Sequence, residues 1–154
     1  MLFRSIWLIR SSTHPNLVEL ANRPGTEQFR DFEDHPDDTT FPGLLILRIY
    51  GGLFFATADT LHDQIREMLD ARQPPIRTLV IDCRSLNFID SQGADKLREL
   101  HELAERHGIV LHLSRLKPKI LDILTEDGLL DLYGEDNLLD DTYQAVMAHI
   151  KDTG

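Results

Sequence analysis

At 154 residues, the chain is one domain's worth, long enough to bury roughly two thirds of its unfolded surface without staples. Its 42% hydrophobic and 27% charged content is that of an ordinary globular protein, while a formal net charge of -10 argues against broad contact with DNA, RNA or an anionic membrane, where clustered Lys and Arg carry the binding. A single cysteine, Cys83, excludes an intramolecular disulfide and, lying in an apolar run, reads as a buried, inert thiol of a reducing compartment.

Met1 to Arg10 is apolar but interrupted by Arg4 and closed by Arg10. It falls short of the ~20 apolar residues of a spanning helix and has no small-residue cleavage site. Two readings stay open for residues 1–15: a strand or helix packed on the domain, or a stub following a membrane helix. Trp7 between Arg4 and Arg10 suits a membrane interface. Residues 16–154 form the single domain. Asn16 to Leu20 predicts an edge strand closed by the Asn22-Arg-Pro-Gly25 turn, and Thr26 to Phe32 a loosely alternating second strand. Asp31 to Asp38 concentrates acids around His35 and Pro36, without the Gly and Glu placement of a calcium loop, and reads as a solvated connection.

Leu44 to Tyr50 is a strongly apolar strand ending at Gly51-Gly52, two glycines that allow positive φ or close backbone approach. No Gly-Lys-Ser/Thr triplet follows, so this is no phosphate loop. Phe54 and Phe55 separate that strand from a helix expected over about residues 59–73, with Leu61, Ile65, Met68 and Leu69 on one face and Pro74-Pro75 as its stop. Thr78 to Cys83 reads as a buried parallel strand. Asp90-Ser91-Gln92-Gly93 forms a polar turn opening a helix to His107, with Ser91 as its cap. Ile109 to Leu113 is the next strand, and Pro118 opens a helix that Gly128 stops. Leu129 to Tyr133 is an apolar link. Asp140-Asp141-Thr142 caps a last helix with Ala145, Val146, His149 and Ile150 inward. Strands alternating with helices imply an α/β fold with parallel pairing and right-handed crossovers.

No catalytic constellation emerges. His101 and His107 are six residues apart and cannot share a face as the i, i+4 zinc motif requires, so no metal site is expected. Cys83 has no adjacent base, and Ser91 lacks the Gly-x-Ser-x-Gly elbow. Asp82 and Asp90 as an acid–base pair are explained without catalysis by turn and capping roles. A binding or regulatory module is the default, with Asp90, Ser91, Gln92 and Gly93 as the partner loop; Phe54 and Phe55 read first as core or rim packing and are also the best apolar candidates for a contact.

The combination Pro24-Gly25-Thr26, Gly43-Leu-Leu-Ile-Leu-Arg48, Gly52-Leu-Phe-Phe-Ala-Thr-Ala58, Ile89-Asp-Ser-Gln-Gly93 and Gly128-Leu-Leu130 resembles the STAS domain. In particular it resembles the version at the cytoplasmic C-terminus of SulP-type (sulfate permease) anion transporters, over about Leu17 to Ile150. The resemblance implies a STAS-like α/β fold: a mainly parallel central sheet of about four to five strands with helices mostly on one side. It also implies a non-catalytic regulatory or assembly role on the cytoplasmic face of a membrane, through contacts with the transporter's own membrane domain or a cytosolic regulator, with no nucleic acid. A homodimer and weak nucleotide binding near the same loop are compatible with it; no other cofactor is expected. The alternative is a free-standing anti-sigma factor antagonist, switched by phosphorylation of the second serine in an Asp-Ser-Ser-Gly loop. That position is Gln92 here, which accepts no phosphate, so only Ser91, the first serine of the pattern, remains as an off-pattern acceptor.

Overall fold

The computed structural model describes residues 16–153; the two readings of residues 1–15 lie outside the described residues. β1 (Asn16–Asn22) pairs antiparallel with β2 (Phe29–Asp31) on one side and with β3 (Leu44–Leu53) on the other. From β3 onward all pairing is parallel. β4 (Thr78–Asp82) and β5 (Leu86–Ile89) lie along β3, β6 (Val110–Ser114) along β4, and β7 (Leu138–Leu139) along β6. The spatial order is β2-β1-β3-β4-β6-β7, with β5 continuing the same flank of β3 beyond the end of β4. The expected mainly parallel sheet is present, and short flanking strands bring it to seven strands among the described residues.

The apolar run of β3 is continuous because the strand is covered on both faces. Leu45, Leu47 and Ile49 point into the larger core with Leu79, Ile81, Leu111 and Leu113. That face is covered by α2 (Leu61–Asp70), α3 (Ser91–Arg106), α4 (Pro118–Glu126) and α5 (Leu129–Tyr133), through Leu61, Ile65, Leu97, Leu100, Ile120, Leu124 and Leu129. Leu44 and Ile46 alternate to the other face. There Val80 and Leu20 join Ala145 and Val146 of α6 (Thr142–Thr153) in a smaller core. Helices therefore sit mostly on one side, with α6 alone of the longer helices on the other.

Several local expectations shift. β2 pairs along the outer flank of β1 at Leu20 to Asn22, so β1 is no bare edge strand. β3 runs three residues past Tyr50 because Gly51, at φ 83°, allows the irregular register through which Gly52 and Leu53 pair with β5. The expected helix over residues 59–73 is shorter, and a separate one-turn helix α1 (Phe55–Ala58) takes up part of the aromatic segment. Leu129 to Tyr133 is a helix rather than a link, started afresh after Gly128 at φ 73°. Ile150 is exposed, whereas His149 is buried, with Nδ1 against Thr78 Oγ1 at 2.8 Å and Nε2 against the Pro42 carbonyl at 2.9 Å.

Candidate functional site: an aromatic corner at the end of the sheet

Asp90, between β5 and α3, holds two helix starts with one carboxylate. Its extended backbone makes it the N-cap of α3, and Oδ1 accepts from the Gly93 N–H at 2.9 Å. Oδ2 accepts from the Phe55 N–H at 3.3 Å, at the start of α1. The Asp90 N–H itself donates to the Leu53 carbonyl at 3.3 Å. Asp90, not Ser91, is therefore the cap, because the shorter reach from the N-cap position to the third amide of the helix favours it. Ser91 and Gln92 are the first exposed residues of α3 rather than part of a loose turn.

Gly93 is buried against the end of β3. A Cβ added there would lie 2.1 Å from the Leu53 carbonyl oxygen and 2.9 Å from the Ile89 side chain. Only a residue without a side chain lets α3 approach the strand this closely. The corner is a rigid junction of β3, β5, α1 and α3.

On this junction lies an aromatic group. Phe54 is half-buried, with its ring edge-on to Phe55 at 6.2 Å and to Phe88 of β5 at 5.9 Å. Phe55 is 62% exposed and Phe88 51%. Gly52 forms the floor: a Cβ there would come within 3.0 Å of the Phe54 ring. The Thr57 hydroxyl accepts from the Phe54 N–H at 3.1 Å and donates to the Gly52 carbonyl at 3.0 Å, which pins the turn. Such aromatic pairs add edge-to-face attraction to area burial, and two large exposed rings side by side form a contact surface.

The structure thus brings all six residues singled out in the sequence (Phe54, Phe55, Asp90, Ser91, Gln92 and Gly93) to one corner and adds Phe88. Phe88 was missed because Leu86-Asn-Phe-Ile89 is a four-residue strand with both end residues buried and both middle ones exposed, which follows neither period. Other sequence candidates lie elsewhere. Cys83 is wholly buried, and burial pushes its thiol well above the ordinary range. Asp82 faces α6 and pairs with Arg48 at 3.1 Å, so it shares no partner with Asp90. His101 packs against Tyr133 at 5.0 Å, while His107 is the exposed cap residue of α3. In the acidic segment, Asp38 is held by Arg30 through two hydrogen bonds of 2.8 and 2.6 Å. Among the described residues no cluster of His, Cys, Asp and Glu is arranged to hold a metal, and no helix is long and apolar enough to cross a membrane.

The family model described as STAS domain matches residues 35–146, a span holding β3 through the start of α6 and the whole corner. The chain belongs to the STAS domain family. This STAS domain is similar to a probable sulfate transporter of Arabidopsis thaliana, 26% identical over 143 residues, covering 87% of this chain and 21% of that protein. It is also similar to a probable sulfate transporter of Mycobacterium tuberculosis, 29% identical over 141 residues, covering 92% of this chain and 25% of that protein. Its fold matches part of a murine anion transporter, member A9 of solute carrier family 26, in the inward-facing state. That match has a TM-score of 0.79 at 18% identity and covers 96% of this chain and 24% of that one. The STAS domain spans about a fifth to a quarter of the length of the curated relatives it matches.

Proposed function

We propose that this STAS domain is a non-catalytic regulatory and assembly domain on the cytoplasmic face of a SulP-type anion transporter, acting through the corner of Asp90, Ser91, Gln92 and Gly93 with Phe54, Phe55 and Phe88. Its partner is the membrane domain of the same transporter. The observation that carries this reading is the position of the exposed aromatics relative to the point where residues 1–15 join the domain. Asn16 pairs with Tyr50, and the next residues of β3 lead directly through Gly51 and Gly52 to Phe54 and Phe55. In a transporter whose membrane domain precedes this domain, the end of the sheet at Asn16 is the one nearest that membrane domain, and the aromatic surface lies at the same end. The two sulfate-transporter relatives support the same class of host.

Phe55 and Gln92 are exposed, and the Phe55 ring touches the fold through its edge-on contact with Phe54, so their substitution tests contact more than folding. In the full-length transporter, Phe55→Ala and Gln92→Ala are expected to lower anion uptake at unchanged membrane expression. Unchanged uptake in both variants overturns the proposed contact. Stoichiometric phosphate on Ser91, read by mass spectrometry after incubation with native cytosol, would instead favour the partner-switch class.

A further inference from the structure

The C-terminal ends of β3, β4 and β6 carry a second feature, on the face covered by α6. Although the chain is strongly acidic, a cleft of about 300 Å³ is lined there by Arg30, Arg48, Arg84 and Arg115, against only Glu27 and Asp82. Of the nearby carboxylates, Asp38 and Asp82 are already engaged. Arg30 is held by Asp38. Asp82 accepts from Arg48 Nη2 at 3.1 Å, from the Thr142 hydroxyl at 2.9 Å and from the Arg84 N–H at 3.0 Å.

Two buried Nε donors and one whole guanidinium are left over. Arg48 Nε and Arg115 Nε are both buried without an acceptor, and the Arg84 side chain is exposed, with no ion pair among the described residues. Arg115 reaches Asp141 only at 3.5 Å through Nη2. It is also a non-glycine residue at φ 57°, a strained conformation held in part by its N–H donating to the Leu139 carbonyl at 2.9 Å. Buried N–H groups without acceptors are few in native proteins and call for a missing acceptor. Water satisfies such a donor, but it brings no counter-charge to Arg84, which has no ion pair among the described residues, whereas Arg30, Arg48 and Arg115 each have a carboxylate. A tetrahedral oxyanion does both, because its oxygens match the guanidinium fork.

We propose that this cleft binds a tetrahedral oxyanion of the sulfate or phosphate type, free in solution or carried as a phosphomonoester lipid headgroup, through Arg48, Arg84 and Arg115. The site lies on the opposite face of the sheet from the α3 side of the aromatic corner, so the two are separable by mutation.

The test is calorimetric titration of the 154-residue chain with sodium sulfate and sodium phosphate. A second arm measures co-sedimentation with phosphatidylcholine vesicles with and without a phosphomonoester lipid. Binding with Kd of about 1 mM or tighter is expected in at least one arm. Arg84→Ala and Arg115→Lys should each weaken it by about tenfold, the effect of one lost charge-assisted hydrogen bond. Arg115→Lys keeps the charge and removes the Nε donor, and Arg84→Ala touches only an exposed side chain, so both variants fold. Binding in the first arm identifies a free anion, and binding only to the charged vesicles identifies a headgroup. No saturable binding in either arm, or binding unchanged in both variants, overturns the site.

Discussion

The aromatic corner and the arginine cleft stand at the same end of one sheet and are opposite in their chemistry. At the corner, the Asp90 carboxylate, the Asp90 and Phe55 amides and the Thr57 hydroxyl all have partners, and the Phe55 and Phe88 rings face outward beside Ser91 and Gln92. In the cleft the lining is mostly polar and charged, and guanidinium donors are left without acceptors. The Phe55 and Phe88 rings lose little by meeting another apolar surface, since their burial desolvates no polar group. The cleft is completed by an anion. The contrast separates an apolar surface, proposed to meet a protein, from a charged cleft, proposed to hold a small anion.

The largest effect is expected where the cleft is anchored. Asp82→Ala removes the partner of Arg48, whose side chain is only 11% exposed, and also the acceptor of Thr142. Leaving that guanidinium buried and uncompensated is expected to destabilise the fold by about 4 kcal/mol, measured by urea denaturation. Because the loss reflects an unpaired buried charge, added oxyanion should recover part of it if the cleft binds one. A smaller loss, about 3 kcal/mol, is expected for Gly93→Ala, because the new methyl group collides with the Leu53 backbone rather than with a yielding side chain. Its denaturation midpoint should fall without any response to oxyanion. Smallest is Asp90→Ala, expected to cost about 1 kcal/mol as the lost cap of α3. Amide exchange should then quicken at Gly93 and Phe55 together, since one carboxylate accepts from both. Quickening at Gly93 alone would mean that the corner is not the single junction described above.

Much of this could be read along the chain. Leu44 to Ile49 and Thr78 to Cys83 announce themselves as buried strands by unbroken apolar runs, and α3 by Leu97, Leu100 and Leu103 at helical spacing. The corner loop was legible because Asp before a helix and Gly in its first turn have local physical meanings. The cap moved by one residue, from Ser91 to Asp90, since either side chain is chemically able to fill that role. Phe88 was not legible, as its exposure depends on β5 pairing with the far end of β3, a contact between segments 35 residues apart or more by number.

The arginine cleft was invisible for the same reason, more strongly. Arg30, Arg48, Arg84 and Arg115 are spread over the chain with no shared motif, and each alone is an ordinary cation. Hydrophobic period, turn chemistry and the residues at a helix start are local properties, so the sequence by itself determined the α/β alternation, the buried strands and the Asp90-to-Gly93 helix start. Which polar groups find partners depends on how strands are ordered and which face each side chain takes. Only the tertiary structure decided that Asp90 ties two helix starts together, that Phe88 joins Phe54 and Phe55, and that guanidinium donors meet without enough acceptors between them.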